Sequence, residues 1–369
     1  MTKSRILLFV KIPPPVTGAT LMNKRVYDSK LLRDAFDIRS ICISYMDHLS
    51  DMGKWQISKI IIFMKTMFML IKELIYHRPD LTYFQISPLG YAFLRDIIFV
   101  AIMKLFSIKI IFHIRGKGIK NKSTKPFKRL LYRWVFLNSV IICLSDLLIY
   151  DIADVFFGRV HVVNNGIPDV ASSLKLNITP FKRSANIIRL LFLSNLDEGK
   201  GIYDFITAMG LLSTKSCQFE AIIVGAEAKL TRYDIDSFIS QLGLQNCVKY
   251  LGAIYGDEKW QTISSTDVVV FPTKYANEAF PAIPIEAMQF GKPVIATKEG
   301  AIPDIVEDGV TGFLVDNDSP EQIAEKLEIL INDSMLREAM GKAGRKKYET
   351  KYRLETFELN LLKVFKDVS

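Results

Sequence analysis

A chain of 369 residues has room for two domains, each able to bury its own core, and 49% hydrophobic against 24% charged residues excludes a disordered protein. Four scattered cysteines (Cys42, Cys143, Cys217, Cys247) show no C-x-x-C spacing, and three of them border or sit in apolar stretches, which argues for reduced thiols against a disulfide framework or zinc site. The net charge of +9 is uneven: residues 1–170 carry 25 Lys and Arg against 12 Asp and Glu, the rest 23 against 27, so the first half either faces an anionic partner or is merely well solvated.

The basic start MTKSR leads into an apolar run at 6–10, too short for the core of a signal peptide, and residues 5–11 read as a first strand. A Pro/Gly loop, PPPVTGAT, follows, then a helix over 21–35 and a strand over 38–44. The stretch 57–77 is long enough for a helix and stops at His77-Arg78-Pro79-Asp80, where proline disfavours helix at the residue before it. Lys59, Lys65 and Lys72 interrupt that stretch, and Lys104 and Lys109 interrupt the equally apolar 97–114. No clean 18-residue apolar span survives, so no transmembrane helix is expected and the chain is assigned to the cytoplasm. Strand 81–86, helix 89–106, strand 109–114, helix 126–137 and strand 140–144 continue the alternation, which with apolar, β-branched strands marks a parallel sheet covered on both faces.

Residues 169–187 are polar and aperiodic and read as a linker. The alternation then restarts: strand 188–194, helix 201–213, strand 221–225, helix 232–242, strand 248–251, strand 268–271, helix 284–290, strand 293–297 and helix 320–332, with a helical tail over 334–368. Two doubly wound α/β domains are expected to bind ligands in a cleft at the carboxyl ends of their strands.

The stretch VVVFPTKYANEAFPAIPIEAMQFGKPVIATKEGAIPDIVEDGVTGFLV (268–315) carries the chemistry. Glu278 lies on a loop after a strand and Glu286 on the helix that follows, an E-x7-E spacing. Between them, successive backbone N–H groups and a helix N-terminus attract phosphate. Glu286 is placed to accept hydrogen bonds from a vicinal diol such as ribose. The spacing alone is weak, because acids are common near helix starts; the surrounding string makes it specific.

That string resembles the donor-binding signature of the retaining GT-B glycosyltransferases of family 4 (group 1), of the bacterial cell-surface polysaccharide kind. The likeness runs on through PPPVTGAT, VHVVNNGIP (160–168), LFLSNLDEGKGIYDFITAM (191–209), IIVGAE (222–227) and VKYLGAI (248–254). It implies two Rossmann-like domains facing a cleft: an acceptor domain over 1–170, a linker over 171–187, a nucleotide-sugar domain over 188–345, and a helix over 346–369 returning to the first domain. It implies further that Glu286 binds the donor ribose, Glu278 the donor sugar's hydroxyls, and Lys200, in a K-G pair with Gly201, the diphosphate leaving group. Gly18 lets the first loop approach that diphosphate without a side chain, and Asn195, Gly225, Ile254, Ala279, Phe280, Ala282 and Ile283 line the nucleotide. The donor is then a UDP- or GDP-sugar, a substrate with no cofactor and no metal beside it.

The chain departs from the family's pattern in three places. Ser194-Asn195 stands where a G-R pair is usual, which removes a phosphate-binding arginine. Pro281 replaces a glycine and removes one N–H donor. The usual H-G or H-D pair is Arg115-Gly116, with His113 two residues earlier; strand alternation puts His113 and Arg115 on one face, and either can reach the donor sugar.

Two D-x-D pairs, Asp234/Asp236 and Asp316/Asp318, read as a helix start and a turn, not as metal ligands. A sugar-nucleotide 2-epimerase on the same fold is the alternative function. A dinucleotide-dependent oxidoreductase is disfavoured, because no G-x-G-x-x-G follows a strand. Ten basic residues and no acid lie between Asp96 and Asp146. Lys117, Lys120, Lys122, Lys125, Lys128 and Arg129 alternate there with Phe127, Leu130, Leu131 and Trp134, the composition of a helix lying on an anionic bilayer. Nucleic acid is disfavoured for want of a recognition helix or stacking platform. The expectation is a peripheral enzyme on the inner face of the cytoplasmic membrane, acting on a lipid-linked or glycan acceptor.

Overall fold

A computed structural model describes residues 3–43, 57–173, 187–215 and 218–369. The chain forms two compact units, one of Met1–Gly166 with Leu354–Ser369, the other of Ile167–Arg353.

The first unit holds six parallel strands, β1 (Arg5–Lys11), β2 (Asp37–Ile43), β3 (Leu81–Phe84), β4 (Lys109–His113), β5 (Ser139–Cys143) and β6 (Val160–Val162), in the order β2-β1-β3-β4-β5-β6. Period-two alternation divides its core into two layers. Leu7, Phe9, Phe84 and Phe112 face one side, with Phe99 and Phe136 packed over them. Ile6, Leu8, Tyr83, Ile111 and Ile142 face the other, covered by Phe357, Leu361 and Phe365 of the terminal helix Leu354–Val368. Helix α1 (Gly18–Asp28) opens on a capping box formed by Thr17 and Thr20. Ser29 then caps a separate helix, α2 (Lys30–Ala35), so the single helix expected over 21–35 is broken by a residue that competes with the backbone for hydrogen bonds. Helices α3 (Ile57–Tyr76), α4 (Gly90–Leu105), α5 (Ile119–Lys122) and α6 (Pro126–Phe136) complete the unit.

The second unit repeats the design with β7 (Ile188–Leu193), β8 (Phe219–Val224), β9 (Val248–Tyr250), β10 (Val268–Phe271), β11 (Val294–Thr297) and β12 (Gly312–Val315), all parallel, in the order β12-β11-β10-β7-β8-β9. Its helices are α7 (Ile202–Ser213), α8 (Arg232–Gln241), α9 (Gly256–Ser264), α10 (Ala282–Gln289), α11 (Ile302–Ile305), α12 (Pro320–Asn332) and α13 (Ser334–Lys347). These are the two doubly wound, Rossmann-like domains expected from the alternation. Strands β6 and β12 and helices α5, α9 and α11 were not expected. The helical tail is divided at a π-helical turn, Tyr348–Tyr352, and Arg353. The units divide after Gly166 and after Arg353, where 170 and 345 were expected. Most of the expected linker, 174–186, lies outside the described residues.

In each sheet the first strand is flanked on both sides, so the order reverses between β1 and β3 and between β7 and β10. Such reversals splay the following loops apart and open a crevice beyond the carboxyl ends of the strands.

Candidate functional site

In the second unit the switch point gathers the expected donor residues. The chain leaves β7 through Asn195, exposed, and a short 3₁₀ turn, Glu198–Lys200, before Gly201 starts α7. Gly201 has φ +75°, and a Cβ there would lie 2.0 Å from the Pro272 carbonyl oxygen, so only glycine lets the β7 and β10 loops touch. Gly225, after β8, is equally tight, since a Cβ would lie 1.7 Å from the Ser194 oxygen. The approach of Gly201 to Pro272 sets Lys200 beside the loop that carries Glu278: the ammonium donates to Glu278 Oε2 at 2.5 Å and stands 4.5 Å from the centre of the Tyr275 ring.

Beyond Glu278 the chain enters α10. Among the described residues the N–H groups of Ala279, Phe280, Ala282 and Ile283 have no acceptor, while Pro281 and Pro284 have no N–H to offer. Four amide donors therefore remain at a helix start, a setting that favours an anion. Glu286, one turn on, is 7% exposed. Its Oε1 accepts from Lys259 on α9 at 2.6 Å, and its Oε2 is buried with no partner. A buried carboxylate oxygen left without a donor is costly, so this one is suited to a ligand hydroxyl. Ile254 is half-buried in the loop just before α9. Lys259 was not anticipated, because α9 reads GDEKWQTIS and has no apolar periodicity to mark it as a helix.

The D-x-D acids are engaged in local structure. Asp234 closes the capping box of α8, Asp236 lies 3.9 Å from Arg232, Asp316 pairs with Lys298, and Asp318 pairs with Lys274.

In the first unit His113 ends β4 fully buried. Its Nδ1 lies 2.6 Å from the Tyr83 hydroxyl and 3.3 Å from Arg115 Nη2, and its Nε2 is buried without a partner. Burial, and secondarily the neighbouring guanidinium, pushes the imidazole well below its usual pKa, so it is neutral. Arg115 instead lines a pocket of about 340 Å³ beyond β1 and β3. Its Nη1 donates to Asn165 at 2.6 Å and its Nη2 reaches the Tyr83 hydroxyl at 3.3 Å. Gly18 begins α1 with nothing within 4 Å of where a Cβ would stand. The amides of Gly118, Ile119 and Lys120 all donate to the Asp151 carboxylate at 2.9–3.0 Å, so the start of α5 already holds an anion of the chain's own.

The basic residues expected at a bilayer divide into two sets. Lys120, Lys122, Lys125 and Lys128 are exposed; Lys117 and Arg129 are half-buried, and Arg129 Nε donates to the Ser123 carbonyl. On α6 Phe127 and Leu130 are 77% and 67% exposed and Trp134 is partly exposed. Leu131 was expected on the same face but packs against the core beside Phe136, one residue round the helix being enough to turn it inward. Among the described residues no helix is long and apolar enough to cross a membrane.

Known proteins match this chain in two ways. The first is by sequence. The D-inositol 3-phosphate glycosyltransferase of Paenarthrobacter aurescens is 31% identical over 194 residues, 50% of this chain and 46% of that protein. The capsular polysaccharide biosynthesis glycosyltransferase CapM of Staphylococcus aureus is 31% identical over 44% of this chain and 41% of its own. The chain thus spans about half the length of these curated relatives. The second is by structure. Anabaena HepE, solved in complex with UDP, superposes with a TM-score of 0.73 at 17% identity, over 99% of this chain and 100% of that one, which makes the fold GT-B. Residues 180–347, which include nearly all of the second unit and every donor-site side chain described above for it, match the family described as glycosyl transferases group 1.

Proposed function

We propose that the protein transfers a sugar, with retention of anomeric configuration, from a UDP- or GDP-sugar to a lipid-linked or glycan acceptor in cell-surface polysaccharide biosynthesis. In this reading it works without a metal, peripherally, on the inner face of the cytoplasmic membrane. The observation that carries it is the β7/β10 switch point, where Lys200, Glu278, four free amides and the unpartnered Glu286 oxygen converge.

Each part suits one piece of the donor. Glu286 Oε2 accepts from a ribose hydroxyl, Glu278 from the donor sugar, and Ala279, Phe280, Ala282 and Ile283 donate to the diphosphate. Asn195, Gly225 and Ile254 line the nucleotide. Transfer builds negative charge on the departing phosphate. Lys200 and the amides are fixed before that charge appears, so they stabilise the transition state more than the bound donor. Such donors carry the leaving-group charge without a metal. Retention is what the family resemblance implies; with no side-chain carboxylate assigned as nucleophile, it requires that the acceptor attack from the leaving-group face, the donor phosphate taking its proton. HepE with UDP supports a nucleotide donor, CapM supports a polysaccharide product, and the glycosyltransferase names of both sequence relatives favour transfer over 2-epimerisation.

A thermal-shift screen of nucleotide sugars tests the reading. A true donor at a hundred times Kd adds about 2.7 kcal/mol, roughly 5–10 °C for domains of this size. UDP- or GDP-sugars should do this equally with and without EDTA, and the product's anomeric proton coupling should match the donor's. No response to any nucleotide sugar removes the function; a shift that needs Mg²⁺ or Mn²⁺, or an inverted product, removes the mechanism.

A further inference from the structure

The residues that line the pocket of about 340 Å³ all belong to the first unit, and one of its cations, Arg115, meets no counter-charge among the described residues. Three cationic side chains line it: Lys11 at the end of β1, Arg95 on α4 and Arg115 after β4. Asp96 answers two of them, Lys11 and Arg95. Asp96, fully buried beneath, accepts from Lys11 at 3.2 Å, from Arg95 Nε and Nη2 at 2.9 and 2.6 Å, and from the Ser87 amide at 2.8 Å. Arg115 has only neutral partners among the described residues: Asn165, the Tyr83 hydroxyl, the deprotonated His113 ring, and the Phe357 ring at 5.8 Å. Its Nε is buried and unpartnered. A half-buried guanidinium without a counter-charge is costly, and an anion delivered to it recovers that cost. Burial lowers the Lys11 pKa against the pull of Asp96, so the ammonium too is under-compensated where it stands.

The other wall is apolar, formed by Ile12, Pro14, Pro15 and Ala92. On helix α4, which carries Ala92, Tyr91, Leu94 and Ile98 are exposed. A lining that joins cationic with apolar side chains fits a ligand that is anionic at one point and apolar or neutral elsewhere. The pocket sits at the switch point of its sheet, between β1 and β3, where such folds bind substrates.

We propose that this pocket seats an anionic group, a phosphate or a carboxylate, of the molecule that accepts the sugar, with Arg115 and Lys11 as its principal ligands. This deepens the transferase reading and rests on it for the word acceptor; the anion seat itself does not depend on the donor site. The charge has two sources, the phosphate of a lipid carrier or the carboxylate of an acidic sugar.

Isothermal titration of the full chain separates them, using farnesyl phosphate against farnesol and D-glucuronate against D-glucose, each with and without saturating UDP. The wild type should bind one charged probe at least tenfold more tightly than its neutral partner. Arg115→Met and Lys11→Met should each remove that preference by about 10- to 100-fold, the effect of losing a charged hydrogen bond. Arg115→Lys should retain most of it, and UDP, which carries no acceptor, should bind all four proteins alike. The preferred pair names the source of the charge. Equal binding of charged and neutral probes, or a preference that survives in whichever methionine variants fold, overturns the anion seat. A preference that behaves as expected in a protein that ignores UDP and GDP leaves the seat standing and removes the donor reading.

Discussion

Glu286 has two oxygens with opposite fates, and the difference sets what its neighbours can do. Lys259 fixes Oε1, which leaves Oε2 buried and turned to a single task. Lys259 is therefore a positioning residue for the carboxylate that the proposal gives to the ribose. Glu286→Ala should weaken UDP or GDP binding by about 10- to 100-fold, the cost of a charged hydrogen bond. Lys259→Met should weaken it less, by about 3- to 10-fold, because the acceptor remains and only its orientation is lost. Titration of both variants with UDP and GDP checks this, and unaltered affinity in Glu286→Ala takes the residue out of the site. The E-x7-E spacing located both acids in the sequence, since the string that carries them is local. Lys259 was not legible, because its partner lies 27 positions away. The choice between His113 and Arg115 was equally closed to sequence: alternation puts both on one face, and only packing by Tyr83 and the neighbouring strands shows one ring sealed and the other side chain open.

At the scale of elements, apolar runs carried the signal. Strands β1, β4, β7 and β10 are short, aliphatic or aromatic and fully buried along most of their length, and they stand within a residue or two of where the pattern puts them. Strand β6 has three half-buried residues and α9 is polar, so neither has the periodicity that would announce it. Helix α6 is the opposite case, with apolar residues on both its core and its solvent sides. Phe127 and Leu130 stand outward beside Lys122, Lys125 and Lys128, and these lysines have no acidic partner among the described residues. Each basic residue near an anionic bilayer contributes about 1 kcal/mol. The wild type should co-sediment with vesicles containing phosphatidylserine at low salt and leave them as salt is raised. Reversing Lys122, Lys125 and Lys128 to Glu should release it, and Phe127→Ser with Leu130→Ser should weaken binding without altering the salt dependence. A wild type that ignores such vesicles at low salt assigns this face to another partner.

Across the whole molecule the chain closes its first unit last. The sheet of β1–β6 is laid down before residue 166, yet one of its two faces is covered by the terminal helix, which follows the entire second unit. The tail read as helix in a stretch rich in Lys, Arg and Glu, and its return to the first domain was expected from the family resemblance alone, since Phe36 and Tyr83 lie 329 and 282 positions before Phe365, beyond the reach of any local pattern. Phe365 shows the consequence. It is fully buried, with its ring 5.9 Å from Phe36 and 5.5 Å from Tyr83, both in the first unit. Removing a buried phenylalanine side chain costs about 3–5 kcal/mol, a large share of the 5–15 kcal/mol that holds a typical domain together. Phe365→Ala should therefore unfold the first unit preferentially. Amide exchange is the measurement that separates the two sheets, because protection reports each cooperative unit by itself. Protection should fall by about 100- to 1000-fold in β1, β3 and β4 and change little in β7, β8 and β10. Equal losses in both sheets would mean that the two units unfold as one, and no loss in either would mean that the terminal helix contributes nothing to the core it covers.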